Sequence, residues 1–355
     1  MKRVFAGFAL LTGLTCALTL NSAAQQSDAN NSVVAQVGKT NLTTNAFEKD
    51  EAGSLLQARY TMYQAERKVL DHFVEHQLLE LQAKSQGVTV DQLLEKEAYK
   101  GIKDPTDDQM QVYYEGLDID QPYAALKGQI LDHIREVRKA KARAAYIKAL
   151  KAQSNIRILL QPPAAEVNAE SPNVKGPKNA PVTLVEFADY ECPYCVKVNP
   201  VLQSIEKEYG SNLAVVYKDF PLPMHKDSQK AAEAARCAGD QGKFWEYHDV
   251  LFTSHNLDVP SLKKHAGELK IDQAKFDTCL DSGAETAAVK KDLEEGQRLG
   301  LTGTPSFFIN GHFISGAADS AVLHEVLGMQ MPASANASAP VASQGAIAQV
   351  TTSPR

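Results

Sequence analysis

The sequence predicts an α/β domain with a helical insertion, preceded by a mainly α-helical domain. Three observations carry this expectation. Residues 182–200 (VTLVEFADYECPYCVKVNP) pass from an apolar, β-branched strand pattern through a short acidic connection into a C-x-x-C that opens an amphipathic helix. A second strand pattern at 212–220 (NLAVVYKDF) is separated by helical spacings over 226–299 from a hairpin pattern at 303–314, which turns at Asn310-Gly311. Upstream, residues 45–152 are dominated by three- and four-residue apolar spacings.

The C-x-x-C is where chemistry is expected. Backbone N–H groups are unpaired in the first turn of a helix, so a thiolate at Cys192 is stabilised there and its pKa falls. Pro193 suits that turn because it has no N–H to leave unsatisfied. Cys195, one turn further on, lies on the same side and can close a disulfide with Cys192. This layout is that of a thioredoxin-type redox site.

A chain of 355 residues with 44% hydrophobic residues is expected to hold two domains with real cores. A net charge of −6 argues against nucleic acid as a partner. Lys2 and Arg3 precede an apolar run at 4–20, and Ser22-Ala23-Ala24 offers a small-residue cleavage site, so residues 1–24 read as a signal peptide. An uncleaved membrane anchor is the alternative. Cys16 leaves with the signal, and the residues before it are not the usual lipid-attachment pattern. The protein is therefore expected in the periplasm or otherwise exported. Four cysteines remain, an even number suited to an oxidising compartment.

Taken in order, residues 33–39 (VVAQVGK) read as a short strand turning at Gly38. Asn45 with Glu48 reads as an N-cap pair. A helix over about 65–85 is expected to turn Leu70, Phe73, Val74, Leu78 and Leu81 to one face and to stop at Gly87. Thr89 with Gln92 and Thr106 with Gln109 read as capping boxes. A long helix over 123–152 carries Leu126, Ile130, Ile134, Val137, Ala140, Ala144 and Ile147 on one side. Its other faces hold eight basic residues, read either as a solvated surface or as an attraction for acidic client segments. Residues 156–160 (IRILL) read as a closing strand, and 161–180, with four prolines, as a linker.

The order of these elements from VVAQVGKTNLTTNAF to residue 160 resembles the N-terminal chaperone domain of SurA-type folding factors. That resemblance implies client binding or oligomerisation; no parvulin-like domain follows, so prolyl isomerase activity is not implied. The second domain, about 172–330, is similar to the DsbA family of exported thiol–disulfide oxidoreductases through EFADYECPYC, AARCAGDQGKFWEYHDVLF and TGTPSFFINGHFISGA. This resemblance implies a thioredoxin-like fold with a helical insertion. It makes Cys192 the exposed nucleophile, Cys195 the buried resolving thiol and Pro305 a cis-proline facing them. Thr304, Pro193 and Tyr194 become client contacts, the Thr304 backbone pairing with a bound strand. Glu186 becomes a buried acid beneath the site, which agrees with its position inside an apolar strand. Where the best-known oxidase has a histidine, this chain has Tyr194, which cannot add positive charge.

Cys237 and Cys279 belong to no C-x-x-C. They read as a structural disulfide, with two buried free thiols as the alternative. No metal or other cofactor is expected, because no second paired-ligand motif exists. His225, His248, His255, His265, His312 and His324 lack ligand-like spacing and are given no role. Residues 331–355 are Ala/Ser/Pro-rich and read as a disordered tail.

The function expected is an exported oxidoreductase that exchanges its Cys192–Cys195 disulfide with thiols of unfolded or folding client proteins. A membrane redox partner of the DsbB or vitamin K epoxide reductase type would recharge it. The alternatives are an isomerase or reductase kept reduced by a DsbD-type partner, or a client-binding chaperone with a secondary redox site. A homo-oligomer through the N-terminal domain is a further expectation.

Overall fold

The computed structural model describes residues 32–254, 256–316 and 320–332. The expected signal peptide, His255 and residues 333–355 of the expected tail lie outside the described residues. No helix among the described residues is long and apolar enough to cross a membrane.

The N-terminal region begins with a two-stranded antiparallel ribbon, β1 (Val33–Val37) and β2 (Thr40–Thr43). The helix that follows, α1 (Thr44–Asp50), is capped by the Thr43 hydroxyl, which accepts from Ala46 N; the expected Asn45–Glu48 pair is thus displaced by two positions. The helix expected to begin near residue 65 is the second part of a 35-residue helix, α2 (Ala52–Gln86), which ends at Gly87 in the left-handed conformation. The short α3 (Val90–Leu93) runs into a π-helical turn, and α4 (Asp107–Glu115) and the long α5 (Tyr123–Gln153) follow. Both capping boxes form: Thr89 with Gln92, and Thr106 with Gln109.

The apolar face expected for α2 is only partly its buried face, with Leu70, Val74 and Leu78 half-buried. Leu56, Tyr60, Tyr63, Leu79 and Ala83 are buried, whereas Phe73 and Leu81 are 59% and 64% exposed. Over 35 residues a fixed stripe drifts around the helix, and α2 has two different partners along its length. Leu79 and Ala83 pack with Leu93, Leu94, Ile147 and Leu150 in a small N-terminal core. Leu56, Tyr60 and Tyr63 join the core of the C-terminal domain instead. On α5, Val137, Ala140 and Ala144 also face outward.

The C-terminal domain is built on a five-stranded sheet of order β3-β5-β4-β6-β7. Its strands are β3 (Val174–Lys175), β4 (Val182–Ala188), β5 (Leu213–Asp219), β6 (Ser306–Ile309) and β7 (His312–Ser315). β4 and β5 are parallel and joined through α6 (Pro193–Tyr209); the remaining pairs are antiparallel. The β6–β7 hairpin turns at Asn310 and Gly311, both at positive φ, as a tight two-residue turn requires. Between β5 and β6 lie α7 (Ser228–Gly239), α8 (Phe244–Thr253), α9 (Val259–Glu268), α10 (Gln273–Ser282) and α11 (Thr286–Arg298). The chain ends on α12 (Ser320–Gln330). This is the expected thioredoxin-like α/β fold with a helical insertion, and a helical region precedes it.

Two stretches differ from expectation. Residues 156–160 form no strand, because their alternating pattern finds no neighbouring strand to pair with. The outer edge of β7 is taken by the next residues instead: Phe313 N donates to Pro163 O at 2.8 Å, and Ala165 N to Gly311 O at 2.9 Å. The stretch read as a linker, 161–180, therefore covers one sheet edge and supplies β3 at the other.

The two regions are also docked more closely than a linker implies. Tyr60 Oη accepts from Ser315 N at 3.0 Å, and Arg67 makes a two-pronged pair with Glu325 on α12. Gly53 lies against Gly300, where a Cβ would meet backbone atoms at 2.6 Å, so only glycine permits the approach.

The insertion is fastened to the sheet by buried charges and by a disulfide. Lys218 of β5 pairs with Glu295 at 2.8 Å and with Asp292 at 3.3 Å, and Arg236 of α7 binds Asp219 and Asp292. Such a network holds geometry, and removing one partner would leave an uncompensated buried charge. Cys237 on α7 and Cys279 on α10 are joined across a sequence separation of 42. A loop of that size predicts that the double substitution Cys237→Ala/Cys279→Ala lowers stability in urea unfolding by about 3–4 kcal/mol relative to the disulfide-bonded wild type. An unchanged unfolding midpoint would contradict it.

Candidate active site

β4 alternates its side chains between two faces. Val182 and Leu184 pack on Val198, Leu202 and Ile205 of α6, while Val185 and Phe187 face the core that α2 completes. The alternation puts Glu186 on the α6 side, where it is buried. Burial drives its carboxyl up to about 8, and the charge of Glu206 adds to the rise.

The chain leaves β4 through Asp189-Tyr190-Glu191. Asp189 Oδ1 accepts from Glu191 N at 2.8 Å, and the Asp189 carbonyl accepts from Cys192 N at 3.1 Å. This turn ends the strand and makes Cys192 the N-cap of α6, with Pro193 in the first helical turn. Tyr194 is 60% exposed. The Thr304–Pro305 peptide is cis, and the Thr304 carbonyl accepts from Cys192 Sγ at 3.4 Å. Glu186, Cys192, Pro193, Cys195, Thr304 and Pro305 are thus gathered at one end of the sheet, whereas Cys237 and Cys279 lie in the insertion. One expectation needs correction: Cys192 is not open to solvent but only 3% exposed, with the Thr304 backbone against its sulfur.

The two thiols, both free here, are driven apart. Cys192 is pulled down to about 5, chiefly by the hydrogen bond from Cys195. Burial opposes this; the Thr304 hydroxyl and the N–H groups of Cys195 and Tyr194 add to it. Cys195 is pushed far above the ordinary thiol range by burial first, then by its bond to Cys192 and the charge of Glu186. The result is a low-pKa thiolate over a thiol that keeps its proton, with a proton-holding carboxyl on the side of the sheet that carries them.

Residues 168–328 match the family model described as Thioredoxin. The same region is 37% identical over 147 residues to a Na(+)/H(+) antiporter NhaA of Salinispora arenicola, covering 41% of this chain and 22% of that protein. It is 34% identical over 175 residues to the NhaA of Herminiimonas arsenicoxydans, covering 49% and 27%. The chain thus spans about a quarter of the length of these curated relatives. Among solved structures, a thioredoxin-like oxidoreductase from Silicibacter pomeroyi is 28% identical, covering 43% of this chain and 88% of that one, with a TM-score of 0.41. BdbD from Bacillus subtilis is 25% identical, covering 44% and 91%, with a TM-score of 0.42. The catalytic domain of Proteus mirabilis ScsC is 28% identical, covering 44% and 87%, with a TM-score of 0.39.

One residue at the site carries no sequence signal for its place there. His225, from the loop after β5, has its Nδ1 2.7 Å from Asp189 Oδ2. His225, given no role from its spacing, thus contacts the turn that presents Cys192. A histidine two residues beyond Pro221-Leu222-Pro223 carries no spacing to Cys192 that a sequence could reveal; only the turn-back of this loop onto Asp189 brings them together. Among the described residues no group of three or more His, Cys, Asp or Glu is arranged to hold a metal ion.

Proposed function

We propose that this protein is an exported thiol–disulfide oxidoreductase that inserts disulfides into folding client proteins. The observation that carries the reading is the split pair of thiols at the start of α6, one lowered and one raised, facing the Thr304–Pro305 peptide. A client thiolate attacks Cys192 Sγ of the oxidised site. The Cys192–Cys195 bond breaks, Cys195 leaves as a thiolate and takes up a proton, and Glu186 is the group that supplies it. A second client thiolate then attacks the client sulfur of the mixed disulfide and Cys192 leaves as a stabilised thiolate. The two client thiolates lose two electrons in forming their disulfide; the enzyme disulfide is reduced to the Cys192 thiolate and the Cys195 thiol, and Glu186 takes its proton back from solvent.

The amino-terminal pattern of residues 1–24 supports export, and a quinone-linked membrane partner of the DsbB or vitamin K epoxide reductase type would restore the disulfide. The Thr304 backbone is offered to a client strand, with exposed Tyr194, Val196 and Met224 on the segments that meet at the site. A second reading, an isomerase or client-holding protein kept reduced by a DsbD-type partner, is favoured by the outward apolar side chains of α2 and α5. Val69, Phe73, Leu81 and Val137 are all exposed, as a client-binding or self-associating arm would need.

Acid-quenched thiol trapping in the protein's own cells separates the two. Cys192 and Cys195 recovered as a disulfide support the oxidase; both recovered as free thiols would replace it with the isomerase or reductase.

A further inference from the structure

After β5 the chain folds back over the active-site turn. Phe220 N donates to Ala188 O at 2.8 Å, and Leu222 N donates to Asp189 Oδ2 at 2.8 Å. The same Asp189 oxygen lies 2.7 Å from His225 Nδ1, and Asp227 N donates to Glu191 Oε2 at 2.9 Å. Both acidic side chains of the turn that presents Cys192 are therefore held by the 220–227 segment. The Asp189 side chain has no solvent exposure and His225 only 18%, so a carboxylate and an imidazole share a sheltered site. A sheltered carboxylate calls for a cation, and His225 is the ionisable partner the fold brings to it.

We propose that His225 is a positioning residue of the redox site. Held by Asp189, its imidazolium favours the Cys192 thiolate and makes the oxidising strength of the Cys192–Cys195 pair fall as pH rises through the imidazole's titration. The proposal rests on the thiol–disulfide reading above. It supplies from a distant loop the positive charge that Tyr194 cannot supply between the cysteines.

The charges around His225 fit this role. Burial works against the imidazolium, but the Asp189 carboxylate, then the Cys192 thiolate and Glu191, outweigh it and raise the imidazole above its ordinary value. Coupling between two ionisations is reciprocal, so a thiolate that favours the imidazolium is favoured by it in return. From its own loop, His225 is flanked by Lys226 and Asp227; Lys226 is largely exposed and paired with Asp227, which screens it from the site. The sign is fixed by which form gains. Below the imidazole's pKa the charge is present, the reduced site is stabilised and the disulfide is the stronger oxidant. Above it the charge is lost and the advantage fades.

The test compares wild type with His225→Gln, which keeps an amide donor for Asp189 but no charge. Thiolate absorbance is followed against pH, and the equilibrium with reduced and oxidised glutathione is measured from pH 6 to pH 9. The variant is expected to titrate Cys192 about half to one pH unit higher. Its equilibrium constant should move roughly three- to tenfold toward the disulfide near pH 6 and converge with wild type toward pH 9. No difference, or a difference of equal size at every pH, would overturn the proposal. A wild type that neither forms a thiolate below pH 7 nor equilibrates with glutathione would sink the redox reading together with it, a distinct result. Should the variant fail to fold, histidine NMR on the wild type decides. The His225 pKa should be lower in the disulfide form, where the thiolate is gone; equal values in both forms would overturn the proposal.

Discussion

Cys192→Ser is expected to abolish thiol–disulfide exchange, leaving only the uncatalysed rate of client oxidation. Cys195→Ser is expected instead to accumulate mixed disulfides with clients that already carry a disulfide, since the Cys192 thiolate can still attack such a bond while Cys195, which would attack Cys192 in turn and release the client, is lost. The asymmetry follows from the environments of the two sulfurs. Cys192 is pulled down to about 5 by Cys195, the Thr304 hydroxyl and the backbone N–H groups of the first turn, while burial keeps the Cys195 proton in place. A thiol whose folded pKa is depressed stabilises the folded dithiol fully above its unfolded value, and this is lost as pH falls through the folded value. The dithiol protein should therefore resist urea better than the disulfide protein at pH 7, and the difference should shrink as pH falls toward 5. A disulfide form that is more stable throughout this range would contradict the arrangement described. Trapping experiments on the two serine variants check the exchange roles: equal mixed-disulfide yields from both would remove the division of labour between the cysteines.

Glu186→Gln is expected to make the folded protein more stable at neutral pH and slower in turnover. Glu186 is held up to about 8 by burial, against 4.5 for the free side chain, so the folded state binds its proton more tightly than the unfolded chain does. Stability must then fall as pH rises from the unfolded value through the folded one. At pH 7 the accumulated loss is roughly 3 kcal/mol, a figure that scales with the size of the shift. A neutral amide of the same shape removes it. Urea unfolding at pH 5 and pH 8 should show a clear decline for wild type and little for Glu186→Gln; parallel declines would show that Glu186 does not carry the effect. The functional penalty has the same origin. A carboxyl that titrates near the working pH can hand a proton to the departing Cys195 and recover it, whereas glutamine cannot.

Much of the redox domain was legible because its signals are local. A strand pattern running into C-x-x-C, an N-capping cysteine followed by proline, and Asn310-Gly311 between two apolar runs each depend on neighbours a few residues away. The two capping boxes of the N-terminal region were legible for the same reason. Glu186 stood out because a lone acid inside an apolar strand contradicts its surroundings, and strand alternation then determines which face it occupies.

What failed depended on partners distant in sequence. The 156–160 stretch alternates like a strand, yet the edge of β7 is filled by Pro163 and Ala165. The stripe on α2 is regular, yet the helix serves two cores at once and leaves Phe73 and Leu81 outside both.

By itself, then, the sequence determined that this chain carries a strand–turn–helix redox motif, a helical insertion and a tight final hairpin, because hydrophobic period, capping chemistry and turn residues act over short range. Only the tertiary structure decided that α2 is docked against the redox domain, that Cys192 is sheltered by the Thr304 backbone, and that His225 meets Asp189. Those three outcomes depend on which surfaces compete for burial and which charges are thereby left to pair, and neither is written in the spacing of residues along the chain.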